Sequence, residues 1–359
     1  MSPKIRIGVL FGGRSAEHDV SILSATNVMK AMDRSRYAVV PIGIARDGGW
    51  WLQEDDETGR ALEAQRGIRV ALVPGGEGLL VAVEPGAPKD LPKLDLLFPV
   101  LHGPYGEDGT VQGYAELAGV AYTGCGLLGS AVAMDKDVAK RLLREAGVPV
   151  APARCLAAGD VPDVAALEAE FGYPFFVKPA RQGSSFGVSR VDGAQAALPA
   201  LTKAFEFDDK LLVEQFLAGR EIECAVLEQA DGSLTVSPPG EIVTSKKHDF
   251  YNYEAKYFDP DGAAIHVPAL VSDEIAQDAR RLAAKAFRAL GCEGIARVDF
   301  FLLEDGSLYL NEINTMPGCT DRSMYPLALS QCGVSYSGWI DVAVEFALKR
   351  RKRARRGRI

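Results

Sequence analysis

The sequence predicts an α/β fold that opens on a parallel sheet, and three observations predict it. The chain of 359 residues is 47% hydrophobic and 25% charged, which is ordinary for a folded protein with substantial cores. Residues 5–11 and 94–101 are near-continuous apolar runs. Each run ends at a glycine-containing segment that precedes a helical pattern, an alternation typical of parallel α/β layers.

The first part of the chain supplies the elements of this layer. A strand over residues 5–11 ends at two glycines, and a helix begins at about Ser15. A second strand over 37–44 precedes a variable stretch, rich in glycine and proline, that reaches about residue 92. The strand over 94–101 then completes the predicted parallel layer.

The second part begins after a predicted hinge at residues 122–126. Its predicted elements are, in order, a helix from Asp135, strands at 175–178 and 188–191 around a glycine-rich loop, a buried strand at 211–217, a polar and aromatic loop at 248–266, a helix at 273–290 and a final hairpin.

Charge and cysteine usage restrict the class of protein. The formal net charge is −8, and residues 349–358 carry eight positive charges, so the rest of the chain is strongly acidic. This predicts a disordered, solvated basic tail, with contact to nucleic acid or an anionic membrane as the alternative. The acidic charge of the rest of the chain argues against nucleic acid as the main partner. The six cysteines form no C-x-x-C pair, and no signal peptide or membrane-length apolar run occurs. We therefore expect a cytoplasmic protein with reduced thiols and no membrane insertion.

The final hairpin is the clearest candidate site. Two alternating segments flank an Asp-Gly pair at residues 305–306, a common composition for a hairpin turn. A symmetric loop there places Asp299 opposite Glu312 and Arg297 opposite Asn314, all on one face. The oxygens of Asp299, Glu312 and Asn314 suit a hard cation such as Mg²⁺, and Arg297 offsets part of the negative charge. The alternative is a surface ribbon whose acids are only solvated.

A glycine-rich loop and two lysines indicate phosphate binding. The backbone N–H groups of residues 183–187, which include Ser184 and Ser185, can cover phosphates, although a plain hairpin is the alternative. Lys178 ends the preceding strand, and Lys136 lies near a helix start, so both can reach a nucleotide. The loop lacks the G-x-x-x-x-G-K-[ST] pattern, which excludes a P-loop NTPase.

Three further positions indicate ligand contacts. The backbone of residues 214–217, which include Glu214, Phe216 and Leu217, fits a strand that reads an adenine edge, with Glu221 on the ribose hydroxyls. Glu17 lies in the first turn of a helix that follows two glycines, where it can hold a substrate ammonium or only stabilise the helix dipole. His102 directly follows a buried strand, where open α/β sheets bind ligands.

Taken together, these residues resemble the D-alanine–D-alanine ligase family of ATP-grasp enzymes. The resemblance runs from Lys4 to about Val334 and leaves residues 47–92 and the basic tail uncovered. The motifs that carry it are GGRSAEHDVS at 12–21, HGPYGEDG at 102–109, MDK at 134–136, VKP at 177–179, GSS at 183–185, YEAKY at 253–257, RVD at 297–299 and NEINTMPG at 311–318.

The resemblance implies a three-domain ATP-grasp architecture with ATP between the central and C-terminal domains. The implied parts are an N-terminal α/β domain over 1–124 that binds the first substrate, a central domain with the glycine-rich loop over 125–218, a C-terminal domain with the metal site and lid over 219–346, and a basic disordered tail over 347–359. Family members are commonly homodimers, so a homodimer is possible here.

The resemblance also implies a reaction and assigns residues to it. ATP phosphorylates one D-alanine, a second D-alanine attacks the acyl phosphate, and the dipeptide supplies peptidoglycan precursors. The implied ATP-binding residues are Lys136, Lys178, Ser184, Ser185, Glu214, Phe216, Leu217, Glu221 and Lys256. Two Mg²⁺ or Mn²⁺ ions bind Asp299, Glu312 and Asn314, while Glu17, His102, Lys256 and Ser323 bind the substrates. The implied catalytic groups are Glu17, Ser184, Tyr257, Arg297 and the Gly318 N–H.

Position 257 and the loop around it bear on specificity. Relatives that make D-alanyl-D-lactate tend to carry Phe there, so Tyr257 favours D-alanine as the second substrate. The loop at 248–266 is expected to act as a lid that protects the acyl phosphate from water. The alternatives are a D-alanine–D-lactate ligase, another ATP-grasp carboxylate–amine ligase, or a non-catalytic sensor of ATP or D-alanine.

Overall fold

The strands and helices of this chain form mixed α/β layers. The computed structural model describes residues 3–55, 62–84, 86, 90–160, 162–244 and 262–356. Within these ranges the strands fall into three sheets, placed successively along the chain, which confirms the predicted α/β class. In the described parts of the chain no helix combines the length and apolar character needed to cross a bilayer.

The N-terminal sheet contains the predicted parallel strands. It consists of β1 (Ile5–Gly12), β2 (Tyr37–Ile44), β3 (Trp50–Leu52), β4 (Ile68–Leu72), β5 (Leu80–Ala82), β6 (Leu96–Pro99) and β7 (Ala121–Tyr122). The spatial order is β5-β4-β3-β2-β1-β6-β7, and β1 pairs in parallel with β2 and β6. The antiparallel strands β3 to β5 lie in the stretch that sequence analysis treated as variable.

Two helices cover opposite faces of this sheet. α1 (His18–Ala31) packs Ala25 and Val28 against Ile7 and Val9 of β1. α2 (Thr110–Ala118) shares the other core with Leu10, because successive strand residues point to opposite faces. The carboxyl ends of β1 and β6, where Glu17 and His102 follow, therefore lie side by side.

The central sheet is antiparallel. It consists of β8 (Ala153–Ala157), β9 (Phe175–Pro179), β10 (Ser189–Val191) and β11 (Lys210–Gln215) in the order β10-β9-β11-β8, and α5 (Val164–Phe171) and α6 (Ala194–Phe205) cover one face. Val177 and Val213 point into that core. Lys178 and Glu214, each one residue further along its strand, point to the opposite face.

Helices α3 (Leu127–Met134) and α4 (Lys136–Glu145) contribute their apolar residues to a core other than that of the central sheet. Ala133 of α3 and Leu143 of α4 share a core with Ile222 and Leu310 of the C-terminal sheet. Apolar residues from the first 25 or so positions of the predicted central unit of residues 125–218 therefore share a core with the C-terminal sheet, and the predicted domain boundaries stay predictions. α4 thus lies between the central and C-terminal sheets, which enclose the cavity described below.

The C-terminal sheet carries the predicted hairpin. It consists of β12 (Gly219–Glu228), β13 (Leu234–Val236), β14 (Gly240–Thr244), β15 (Ala263–His266), β16 (Ile295–Leu303) and β17 (Leu308–Asn314). The order is β15-β14-β12-β16-β17, with β13 paired to β12. α7 (Asp273–Ala289) buries Ala279 and Phe287 against this sheet, whose other face is turned toward the cavity.

The basic tail is helical, so the prediction of disorder from residue 347 is wrong as far as Arg356. After α8 (Met324–Ser330), α9 (Tyr336–Arg356) runs back to the N-terminal sheet. The Arg350 guanidinium lies 4.1 Å from the centroid of the Tyr122 ring, and it donates to the Tyr122 carbonyl over 2.7 Å. It also pairs with Glu293 at 3.1 Å. These specific contacts dock a segment whose composition alone indicates a solvated end.

Candidate active site

A cavity of about 810 Å³ lies between the central and C-terminal sheets. Its walls come from the glycine-rich loop, from β9 and β11, and from the inner face of β12, β16 and β17. Predicted ligand-binding residues that line it are Lys136, Lys178, Ser184, Ser185, Glu214, Phe216, Leu217, Glu221, Asp299 and Glu312. The structure thus brings together residues that are more than 170 positions apart in the chain.

The hairpin pairs its polar residues as predicted. Asp299 is opposite Glu312 and Arg297 is opposite Asn314. The two acids line the cavity, because paired residues on adjacent strands share one face.

The predicted symmetric turn is wrong. The Leu303 N–H donates to the Ser307 carbonyl at 2.9 Å, which leaves a three-residue loop with Gly306 at φ +84°. Phe300 therefore pairs with Leu310, one position away from the symmetric register. A β-bulge at Asn311 restores the predicted pairing at Asp299 and directs both Asn311 and Glu312 into the cavity.

Arg297 lies between two buried acids. Its Nε and Nη2 donate to the two carboxylate oxygens of Asp299 over 2.8 and 2.7 Å. Its Nε also lies 2.9 Å from Oε2 of Glu223, which is opposite Asp299 on β12. Burial lowers the pKa of Arg297, but Asp299 and Glu223 outweigh that effect and hold it well above the usual range. Sequence reasoning missed Glu223, because the pairing of β12 with β16 is not visible locally.

The donor set fits a hard cation that also contacts phosphate. Asn314 donates its Nδ2 to Asp299 at 2.8 Å, so Asp299, Glu312 and Asn314 present adjacent oxygen-bearing groups. Among the described residues, no three acidic, histidine or cysteine side chains gather in a metal-binding geometry. Two carboxylates and an amide, completed by phosphate and water, nevertheless match the usual surroundings of Mg²⁺.

Lys136 connects the glycine-rich loop to this acidic pair. Asp135 caps α4 by accepting from the N–H groups of Asp137 and Val138, both at 3.1 Å, which fixes the start of the helix. The Lys136 ammonium donates to the Gln182 carbonyl at 2.7 Å and lies 3.4 Å from Oε2 of Glu312. It is therefore placed where a phosphate would meet both the loop and the acids.

Lys178 and Glu214 form an ion pair at the cavity wall. One Glu214 oxygen pairs with Lys178 and the other with Lys140, a fully buried lysine that sequence analysis did not single out. Burial raises the pKa of Glu214, but the two lysines outweigh it and hold the pKa below its usual value. Lys140 lies one helical turn after Lys136 on α4, and that spacing is its only signal in the sequence.

The glycine-rich loop reaches Glu17 of the N-terminal layer. Ser184 donates its hydroxyl to the Glu17 carboxylate. Ser184 and Ser185 have φ of 46° and 61°, a left-handed conformation that is costly for residues with a Cβ. A Cβ on Gly183 would lie 3.0 Å from Oε2 of Glu17, and one on Gly103 only 2.7 Å from it. Both glycines therefore allow the backbone to close around this carboxylate.

His102 and Gly318 lie where the N-terminal layer meets the segment after β17. Nδ1 of His102 is 3.1 Å from the Met316 carbonyl, and Nε2 is 3.2 Å from the Ser24 hydroxyl. Both ring nitrogens thus have hydrogen-bond partners within the protein, and the substrate contact predicted for His102 stays a prediction. Ser323 accepts from the Thr320 N–H at 3.0 Å, and a Cβ on Gly318 would lie 3.1 Å from its hydroxyl.

Two predicted site residues, Lys256 and Tyr257, lie outside the described residues, as does most of the predicted lid. Of the loop at 248–266, the structure describes the last five residues, and β15 pairs there with β14. The roles predicted for Lys256, Tyr257 and the lid stay predictions.

The buried state of His102 leads to an expected pH dependence of stability. Burial lowers the pKa of His102, with Glu17 opposing the shift. Below about pH 6.5 the unfolded chain binds a proton that the folded chain does not, so the free energy of unfolding falls as the pH falls. One such group contributes at most about 1.4 kcal/mol per pH unit.

We expect His102→Gln, which can keep both hydrogen bonds, to flatten this dependence. Urea denaturation at pH 5, 6 and 7 measures it. Equal slopes for the variant and the natural sequence would exclude His102 as the source.

Comparison with known proteins supports one family. The family models for the D-ala D-ala ligase N-terminus and C-terminus match residues 6–125 and 142–345. A D-alanine–D-alanine ligase A of Mesorhizobium japonicum is 58% identical over 356 residues, covering 98% of this chain and 99% of that relative.

Solved structures agree with the sequence comparison. The D-alanine-D-alanine ligase from Coxiella burnetii has a TM-score of 0.87 and 31% identity, and covers 98% of this chain and 96% of its own. The VanG D-Ala:D-Ser ligase from Enterococcus faecalis has a TM-score of 0.85 and 34% identity, and covers 96% of this chain and 100% of its own. The chain belongs to the D-alanine–D-alanine ligase family.

Proposed function

We propose that this protein is an enzyme that uses ATP to join two D-alanines into D-alanyl-D-alanine, which supplies peptidoglycan synthesis in the cytoplasm. The observation that carries the proposal is the cavity in which two lysines and a glycine-rich loop face the paired acids Asp299 and Glu312. Phosphoryl transfer needs charge neutralisation and alignment more than covalent help from the protein, and this cavity supplies both.

The nucleotide would occupy the length of this cavity. Lys136, Lys178 and the N–H groups at Ser184 and Ser185 would hold the phosphates. The backbone at Phe216 and Leu217, with Glu214, would contact the adenine, and Glu221 would accept from the ribose hydroxyls. All of these residues line the cavity, which supports their assignment to one ligand. Lys256 would add a further positive charge to the phosphates.

Asp299, Glu312 and Asn314 would hold two Mg²⁺ or Mn²⁺ ions. When bound, these ions supply charge neutralisation and orientation to the transferred phosphoryl group. Arg297 would then leave Asp299, stay paired with Glu223, and donate to the developing oxyanion together with the Gly318 N–H. The contact of Arg297 Nε with both acids supports this exchange.

The two amino acids would lie between Glu17 and Ser323. Glu17 would bind the ammonium of the first D-alanine, whose carboxylate oxygen attacks the γ-phosphorus and releases ADP. The amine of the second D-alanine, with its carboxylate on Ser323 and Lys256, attacks the acyl carbon. Phosphate leaves and the attacking amine loses a proton. Ser184 and Tyr257 would orient the site for this second step. The hydrogen bond from Ser184 to Glu17 supports this arrangement.

We propose D-alanine, and not D-lactate, as the second substrate because position 257 is Tyr. The similarity to a D-Ala:D-Ser ligase makes D-serine the nucleophile to compare. We also propose a homodimer, because family members are commonly homodimers, and sedimentation equilibrium tests it.

Phosphate release tests the function. With ATP and Mg²⁺, we expect D-alanine to stimulate phosphate release at least about 100-fold more than L-alanine, because a chiral amino-acid site discriminates enantiomers by several kcal/mol. One dipeptide should form for each phosphate released. D-Serine and D-lactate are offered as competing nucleophiles. Nucleotide binding with no dipeptide from any pair of these substrates would favour the sensor, and a different product would identify another ligase.

A further inference from the structure

Lys140 is a buried lysine that none of the proposed catalytic steps uses. Its side chain is 2% exposed, and it does not line the cavity. A lysine is rarely buried to this extent without a charged partner. Its partner is Oε1 of Glu214, a residue whose other oxygen holds Lys178. Three charged groups therefore share one buried cluster at the cavity wall, with two positive charges and one negative charge.

Only part of this cluster can meet a ligand. Lys178 and Glu214 line the cavity, and Lys178 also donates to the Asn311 side chain at 3.4 Å. On the paired strands β9 and β11, Lys178 is opposite Leu212, so Glu214 is its diagonal neighbour on the same face. If Lys178 turned to a phosphate, Glu214 would lose one of its two ion pairs. A buried carboxylate left without any cation would resist that movement.

We propose that Lys140 is a positioning residue for the nucleotide: it keeps Glu214 paired, so that Lys178 can leave Glu214 for the phosphates of ATP. This inference rests on the proposed nucleotide site. Lys178 then has two alternative anionic partners, the carboxylate in the empty site and the phosphate in the filled one. Lys140 serves Glu214 in both states, because it reaches the carboxylate from the side away from the cavity.

The proposal predicts that Lys140 strengthens the binding of a ligand's phosphate groups and not the binding of adenosine. Without Lys140, Glu214 would hold Lys178 as its sole cation, and phosphate groups would gain less from that lysine. The quantity to measure is the ratio of the Kd of adenosine to the Kd of ADP with Mg²⁺, obtained by titration calorimetry. This ratio reports what the two phosphates add to binding, and it cancels changes in adenine contacts.

We expect Lys140→Met to lower this ratio about tenfold, because one charge-assisted contact is worth about that factor. The double variant K140M/E214Q removes both charges, frees Lys178, and should restore the ratio to within about threefold of the natural sequence. Lys203→Met, at an exposed position on α6, is the matched control and should leave the ratio unchanged. A general packing role for Lys140 would not be rescued by neutralising Glu214.

An unchanged ratio in Lys140→Met would overturn the proposal, as would a double variant no better than the single one. If Lys140→Met does not fold, the double variant decides alone, because a ratio still lowered tenfold would contradict the proposal and a restored one would support it. The two probes, a nucleoside and a nucleotide, bind without D-alanine. The outcome can therefore be separated from a failure of the proposed ligase activity.

Discussion

Replacing Arg297 with methionine is expected to lower kcat by about 100- to 1,000-fold and the free energy of unfolding by about 3 kcal/mol. Arg297 donates to both oxygens of Asp299 and lies 2.9 Å from Glu223. Without it, these two acids face each other across β12 and β16 with no cation between them. The predicted oxyanion donor is lost in the same substitution.

Denaturation and activity measurements on a second variant distinguish the two effects. Loss of the guanidinium leaves two like charges facing each other in the folded protein, so adding Glu223→Gln to Arg297→Met should recover part of the lost free energy of unfolding. Activity should not recover in parallel, because the oxyanion donor is still missing. Arg281→Met removes a 60% exposed arginine of α7 and serves as the control. A kcat within about threefold of normal for Arg297→Met would contradict the assigned role.

The second large effect is expected for Glu312→Gln. Glu312 faces Asp299 and lies 3.4 Å from Lys136. Losing one of two carboxylates should raise the Mg²⁺ concentration for half-maximal activity at least about tenfold and lower kcat about 100-fold. Removing divalent ions with a chelator should abolish activity of the natural protein.

A binding measurement separates metal affinity from activity. In the natural protein we expect Mg²⁺ to tighten the binding of ADP, and in Glu312→Gln this gain should disappear. Glu345→Gln, an exposed acid on α9, is the matched control. If Mg²⁺ tightens ADP binding as much in Glu312→Gln as in Glu345→Gln and the natural protein, Glu312 is not a metal ligand.

Local sequence patterns predicted the pairing of Asp299 with Glu312, but they did not predict contacts that depend on packing between distant parts of the chain. Asp299 and Glu312 are joined by a short hairpin, so alternation and the turn residues were enough to pair them. The same reasoning misplaced the turn itself, because Gly306 closes a three-residue loop and the bulge at Asn311 compensates. Glu223 and Lys140 escaped prediction because strand pairing and helix docking bring each to its partner from a distant part of the chain.

The C-terminal helix shows the limit of composition as a guide. A run of basic residues is usually solvated. Arg350 instead contacts the Tyr122 ring and donates to two backbone carbonyls at the end of the N-terminal layer. No property of residues 347–356 alone encodes those partners. For His102, its position at a strand end did not indicate the hydrogen bonds that both ring nitrogens make in the fold.

The most direct test of the proposed reaction follows an oxygen atom. D-Alanine labelled with ¹⁸O in its carboxylate is incubated with ATP, Mg²⁺ and the enzyme, and the released phosphate is examined by mass spectrometry. An acyl phosphate intermediate transfers one labelled oxygen to inorganic phosphate for each dipeptide formed. Unlabelled phosphate, or label found in AMP, would contradict phosphoryl transfer to D-alanine in this cavity.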